Sequence, residues 1–366
     1  MEQQHEYFMK RALELAARAL GRTSPNPVVG AVIVKDGKVV GEGYHARAGT
    51  AHAEVVALQQ AGEAARDGVM YVTLEPCNHK GKTPPCTEAV IGAGIRTVYA
   101  AILDPNPLVA GKGVKRLQDA GIEVHTGLLE QEAARLNEFF FKFITTGMPF
   151  VAVKTAMSLD GKIATRSGDS KWITGEPARE FVHRLRDQYD AILVGIGTVL
   201  ADNPRLNTRL ASKPGRDPVR LIVDGRLEVP LDSNVVQTAR QQKTVIYCSM
   251  HADRTRIEAL KALGVDVVPT TENEEKIPLE TILRDVAQRG LTSVLIEGGS
   301  RMNAYAFEHN LVDKVFWFIA PRIIGGAKAI PPVAGRGAET VAEALVLRNT
   351  ELTTWGDDLL ITGYTR

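Results

Sequence analysis

No stretch of this 366-residue chain reaches eighteen uninterrupted apolar residues, so no membrane-spanning helix is expected. Neither sign of charge dominates: 44 Lys and Arg stand against 43 Asp and Glu, a net charge of +1. The positive field that draws a protein to polyanions is missing, which argues against nucleic acid as a partner. The N-terminus, MEQQHEYFMKRALELAARAL, lacks the basic stub and apolar core of an export signal and spaces its apolar residues at helical intervals instead. A cytoplasmic protein is therefore expected, free of any membrane. Cysteine is scarce, with three residues in all. In a reducing compartment so few thiols serve as metal ligands, catalytic groups or small core residues rather than as disulfide partners.

The length exceeds one ordinary domain and points to two. In the first half, helical and strand patterns alternate: a helix to about Leu20, a strand at VGAVIVKDG, a helix from about His52, a strand at VMYVTLE, helix TEAVIGAG and strand TVYAAIL. Such alternation means a layered α/β sheet. FITTGMPF then sets Thr-Thr-Gly and a proline between a Phe-rich helix and a new strand, FVAVKTA, which places a domain boundary there: 1–146 and 147–366. Strands recur beyond it at DAILVG, VRLIVD, TVIYCS, SVLIEGG and DKVFWFIAP, with helices such as EPAREFVHRLRDQ between many of them, so the second half is α/β as well.

Two of the three cysteines lie in YVTLEPCNHKGKTPPC. Cys77 ends a strand. Cys86 follows Thr-Pro-Pro, which reads as a helix start, where unpaired amides and the helix dipole favour a thiolate. Zinc takes soft thiolates and imidazoles, four in a closed structural site and three in a catalytic one. Upstream, GTAHAEVVALQQAG supplies His52 as a third ligand and Glu54, two residues on, as a carboxylate able to reach a metal-held water. A structural site with His79 as fourth ligand, or a Cys77–Cys86 disulfide, is the competing reading. Cys248, in TVIYCSM, is expected to be a core thiol.

H-A-E followed by P-C resembles the cytidine-deaminase-like superfamily of zinc enzymes. The second thiol comes later than in the usual P-C-x-x-C, and this longer spacing, with PNPVVGAVIV, GEGYHARAG and DPNPLVAGKG, is similar to the deaminase domain of bifunctional riboflavin-biosynthesis deaminase/reductases. The resemblance implies a cytidine-deaminase-like α/β/α layered domain that removes an amino group from a phosphorylated, ribosylated diaminopyrimidine. Zn2+ would be held by His52, Cys77 and Cys86, and Glu54 would shuttle protons. Asn26, His45, His79, Lys82 and Thr83 match substrate-contacting positions.

In the second half, Gly195 and Gly197 follow one strand and Gly298 and Gly299 another, each pair opening a helix. Such turns let backbone amides approach phosphate. The third glycine of a Rossmann fingerprint is absent, because Leu200 stands in GIGTVL. KTAMSLDGKIAT, GDSKWIT, LVGIGTVLADNP, IEGGS and IAPRIIGG instead resemble, in order, the reductase domain of the same family, which implies a dihydrofolate-reductase-like α/β fold that uses NADPH. By that resemblance Ala156, Trp172, Thr198, Asp202 and the run Gly299, Ser300, Arg301, Met302, Asn303, Ala304 and Tyr305 face the cofactor. Ser170, Arg186, Leu206, Arg209 and Glu297 face the substrate, the arginines clamping its phosphate. Lys154 lies near the reacting sugar carbon. Ordinary core packing is the competing reading for Trp172. The family's habit of assembling predicts a homo-oligomer.

Overall fold

The computed structural model describes residues 2–78, 84–106, 109–211, 214–272 and 277–366. They form two compact units, Met1–Met148 and Pro149–Arg366. In chain order the first unit runs α1 (Glu2–Ala17), β1 (Gly30–Lys35), β2 (Lys38–Tyr44), α2 (Ala53–Ala61), β3 (Val69–Val72), α3 (Cys86–Gly92), β4 (Thr97–Ala100), α4 (Lys112–Asp119), β5 (Glu123–Thr126), α5 (Glu130–Leu136) and α6 (Glu138–Thr146). Among the described residues its sheet is five-stranded, in the order β2-β1-β3-β4-β5. β1 is antiparallel to both neighbours, and β3, β4 and β5 are parallel.

The run GAVIV of β1 is apolar throughout because the strand is buried on both faces as far as Val34. Side chains alternate along a strand, so Ala31 and Ile33 pack with Ala53 and Ala57 of α2 and Val90 of α3, whereas Val32 and Val34 pack with Phe8, Met9 and Ala12 of α1. Three layers, helices on both sides of a sheet, follow directly. α2 lies so close to β2 that a Cβ on Gly43 would overlap the Ala53 carbonyl oxygen, and one on Gly41 that of Ala57. Gly43→Ala must push back the helix whose start carries His52 and Glu54. A destabilisation of about 1–3 kcal/mol is expected, and thermal unfolding together with zinc content checks it.

The second unit comprises β6 (Phe150–Ser158), α7 (Glu176–Gln188), β7 (Ala191–Gly195), α8 (Ile196–Asp202), β8 (Val219–Val223), α9 (Asn234–Gln237), β9 (Thr244–Ser249), α10 (Arg254–Ala262), β10 (Asp266–Thr271), α11 (Leu279–Gln288), β11 (Ser293–Ile296), α12 (Ser300–Glu308), β12 (Lys314–Ala320), β13 (Arg348–Trp355) and β14 (Asp358–Tyr364). Its nine strands, among the described residues, are ordered β10-β9-β8-β7-β11-β6-β12-β14-β13. All neighbours from β10 to β12 are parallel, and β14 and β13 add an antiparallel edge. The carboxyl ends of the parallel strands therefore share one rim, where open α/β sheets place their ligands. Cys248 is fully buried in β9 beside Ile246.

Candidate active sites

In the first unit, α2 and α3 both begin at the same place. His52 is the N-cap of α2, with extended backbone (φ −74°, ψ 160°), and Cys86 is the first residue of α3. Cys77 lies in the segment that joins β3 to α3. The His52 Nδ1 atom is 3.1 Å from the Cys86 Sγ and 3.6 Å from the Cys77 Sγ, and the three donor atoms all lie within 4.8 Å of one another. A tetrahedral zinc ion with Zn–N of about 2.0 Å and Zn–S of about 2.3 Å spaces its ligands about 3.5–3.8 Å apart. One imidazole and two thiolates at these separations fit zinc. No other metal-holding cluster occurs among the described residues.

Electrostatics support this assignment. A hydrogen bond from the Cys86 thiol, with further help from His52 and the Cys86 amide, overcomes burial and holds the Cys77 thiol down at about 4, while the same pairing pushes Cys86 up. The thiols thus share a proton that a divalent cation displaces. Hydrogen bonding to Cys77 raises His52. Glu54, in the first turn of α2, is 3 % exposed, and burial foremost, with the Cys77 charge, pushes its carboxyl up to about 7. That is where a proton shuttle works best at neutral pH.

Asn26 and His45 are brought beside the triad. His45 Nδ1 bonds the Ala51 carbonyl at 3.1 Å, so that nitrogen carries the proton and Nε2 accepts from Asn26 Nδ2 at 3.2 Å. Burial keeps this ring neutral, and its centroid is 5.3 Å from that of His52. His79, Lys82 and Thr83 lie outside the described residues. Glu75 was not singled out by its sequence pattern. Its buried carboxylate accepts amide hydrogens from Asp104, Gly111, Gly113 and Val114 at 2.7–3.1 Å, tying Asp104 and the start of α4 to the segment that carries Cys77. An acid at the end of an apolar strand, two residues before a ligand, was the available signal.

In the second unit, the pairing of β6 with β11 sets Val153 opposite Ile296, so the next residues, Lys154 and Glu297, fall side by side. Lys154 Nζ is 3.1 Å from Glu297 Oε2. From α7, Arg186 grips the same carboxylate at both oxygens, Nε to Oε1 at 2.7 Å and Nη2 to Oε2 at 3.0 Å, and its Nη1 donates to the Asn207 carbonyl at 3.1 Å. Burial works against the Glu297 charge, but Arg186 and Lys154 outweigh it and bring the carboxyl down to about 2. Ala156 lies one pleat beyond Lys154 on the same face of β6, and Ser170 is half-buried. Thr198 lies in the first turn of α8, and Asp202, at its end, pairs with Lys171 at 3.3 Å.

Several expectations need correcting. Arg186 is spent on Glu297 and Asn207, so it does not offer a free bidentate fork to a phosphate; Arg209, bonded through its guanidinium to Asn207 Oδ1, pairs with no carboxylate among the described residues. Leu206 has a positive φ of 51° that turns its side chain into the core, 3 % exposed, and its carbonyl accepts from Gln242; only its N–H remains for a ligand. Along the run from Gly299 to Tyr305 the side chains point to different sides, because a helix turns about 100° per residue. Ala304 is buried in the core, and Tyr305 turns to Glu280 and stacks on His309. Trp172 is 61 % exposed beneath the Arg179 guanidinium, which excludes the core reading.

A phosphate-bearing cofactor fits the remaining start of α12, where the Ser300 hydroxyl is a buried donor with no hydrogen-bond partner among the described residues. Added Cβ atoms on Gly197 and Gly299 would meet nothing within 4 Å, so both turns border open space.

Comparison with known proteins completes the description. The family model for the RibD C-terminal domain matches residues 149–361, and that for the cytidine and deoxycytidylate deaminase zinc-binding region matches residues 2–102. The riboflavin biosynthesis protein RibD of Actinobacillus pleuropneumoniae is 46 % identical, over 97 % of this chain and 93 % of its own; that of Bacillus amyloliquefaciens is 45 % identical, over 98 % and 95 %. The solved Acinetobacter baumannii RibD superposes with a TM-score of 0.89 at 39 % identity, over 100 % of this chain and 99 % of its own. A Thermotoga maritima diaminohydroxyphosphoribosylaminopyrimidine deaminase/5-amino-6-(5-phosphoribosylamino)uracil reductase gives 0.87 at 39 % identity, over 99 % of both chains.

Proposed function

The chain belongs to the family of bifunctional riboflavin-biosynthesis deaminase/reductases, and on that premise we propose how its residues divide the work. It is a zinc-dependent deaminase and an NADPH-dependent reductase acting in sequence on a phosphorylated pyrimidine. Residues 1–146 carry the deaminase and 147–366 the reductase. The observation that carries the first half is the His52–Cys77–Cys86 triad with buried Glu54 beside it.

His52, Cys77 and Cys86 hold the metal. Zinc supplies a Lewis acid, which lowers the pKa of a water it holds from 15.7 to roughly 7. Glu54 takes a proton from the attacking water and gives it to the ring nitrogen, then takes the remaining hydroxyl proton of the tetrahedral adduct and passes it to the departing amine, so that the C–N bond breaks and ammonia leaves. Asn26 and neutral His45 orient the substrate, joined by His79, Lys82 and Thr83. Cys86→Ser should bring zinc from about one ion per chain toward none and stop ammonia release. NADPH oxidation on the already deaminated substrate should continue; metal analysis and the two assays check this.

In the reductase, NADPH supplies the hydride for C1 of the ring-opened ribosylamino group. Lys154, charge-paired with Glu297, provides the proton that balances it. Trp172, Thr198, Asp202, Ala156 and the start of α12 position the cofactor; Ser170, Arg209 and the Leu206 amide position the substrate. The even charge balance supports a small-molecule substrate and argues against nucleic acid or an anionic membrane as partner. No helix among the described residues is long and apolar enough to cross a membrane. We place the protein in the cytoplasm, in keeping with three cysteines none of which is paired in a disulfide. A homo-oligomer is supported by the exposed apolar residues Val341, Val346 and Leu352.

A further inference from the structure

We propose that His183 is a positioning residue of the reductase: it fixes the segment Asn207–Arg209 so that the Arg209 guanidinium is presented to the substrate's phosphate. The inference rests on the reading of the second unit as the reductase. His183 and Arg186 are one turn apart on α7 and so project from the same face. Together they pin two of the three residues of that segment. Arg186 Nη1 donates to the Asn207 carbonyl at 3.1 Å, and the Arg209 amide donates to His183 Nδ1 at 3.3 Å. Between them the Thr208 amide donates to Asp217 Oδ1 at 2.7 Å. Arg186 and the His183 ring both hold the Asn207 backbone, and His183 is the group that also sets where Arg209 begins.

Why the arrangement serves an anion follows from the charges. Glu297 offsets only one of Arg186 and Lys154. With Arg209 added, and with Asp217, which acts on both arginines, counted against it, the cluster keeps one net positive charge to set against a phosphate. A histidine that was itself protonated could not accept the Arg209 amide on Nδ1. Burial, Arg186 and Arg209 prevent that by holding the His183 ring down at about 4, against the opposing pull of Glu297. Nδ1 is thus an acceptor throughout the working range of pH.

The geometry makes a discriminating prediction. Asn places its carbonyl oxygen where histidine has Nδ1, whereas Gln reaches the position of Nε2. Steady-state NADPH oxidation is measured on 5-amino-6-(5-phosphoribosylamino)uracil and on its dephosphorylated counterpart, with ammonia release from the first unit as a folding control. His183→Leu and His183→Gln should raise KM for the phosphorylated substrate about tenfold, with kcat within about twofold and KM for NADPH unchanged. His183→Asn should stay within about threefold of wild type. On the dephosphorylated substrate none of the variants should lose further ground. If the leucine variant does not fold, the Asn and Gln pair decides the matter alone. A Gln variant with wild-type KM, an Asn variant as impaired as Gln, or an equal penalty on the dephosphorylated substrate would each overturn the proposal. Absence of NADPH oxidation by wild type would instead overturn the reductase reading.

Discussion

Replacing Glu54 with Gln is expected to lower ammonia release by about 10²- to 10⁴-fold while zinc stays bound and the fold stays intact. Glu54 is not among the three groups whose donor atoms converge on one point, so its loss leaves the metal's ligands in place. Gln fills the same buried volume and adds no charge, which spares the first turn of α2. What disappears is a group that can accept and return a proton, and nothing else described beside the triad replaces it. His45 is neutral, with Nδ1 bonded to the Ala51 carbonyl and Nε2 to Asn26. Zinc analysis beside an ammonia assay separates the outcomes. Unchanged ammonia release would remove Glu54 from the mechanism, and loss of zinc would make it a structural residue.

The second large effect belongs to Glu297. Glu297→Ala leaves Arg186 and Lys154, with side chains 13 % and 16 % exposed, facing each other without their shared counter-ion. Breaking such a buried pair costs about 3–5 kcal/mol. The second unit should lose that stability in denaturant unfolding, and NADPH oxidation should vanish as Lys154 loses its partner. Ammonia release, which uses other residues, should persist. The charge pairing also fixes a pH dependence. The folded carboxyl, at about 2, lies below its ordinary value of 4.5. Its contribution is therefore fully present above about pH 4.5 and is lost as pH falls through about 2. Glu297→Gln should flatten that part of the acid-unfolding curve of the second unit.

What could be read from the sequence depended on how local each signal was. The triad was legible because H-A-E sits at one helix start and Cys86 at another, with Cys77 upstream of it, all with chemistry that stands out in a chain with three cysteines. Strands with apolar stretches such as GAVIV and VIYC were legible because burial on both faces leaves an unbroken run. The hairpin of β13 and β14 was not, since β13 is exposed along nearly its whole length and carries no apolar alternation. The Arg186–Glu297 pair joins residues 111 positions apart, and only the strand order that sets β11 between β7 and β6 brings them together. Leu206 eluded the pattern for a different reason: a positive φ, unusual for leucine, reverses the side-chain direction that the surrounding motif suggests.

The most direct test of the two-step account is one time course. Wild-type protein is mixed with the phosphorylated diaminopyrimidine riboside and NADPH, and ammonia and NADPH are followed together. Ammonia should appear first, with NADPH consumption following after a lag and reaching the same final amount. Oxidation of NADPH before any ammonia is released, or ammonia release with no NADPH consumed, would contradict the assignment of the two units to successive steps on one substrate.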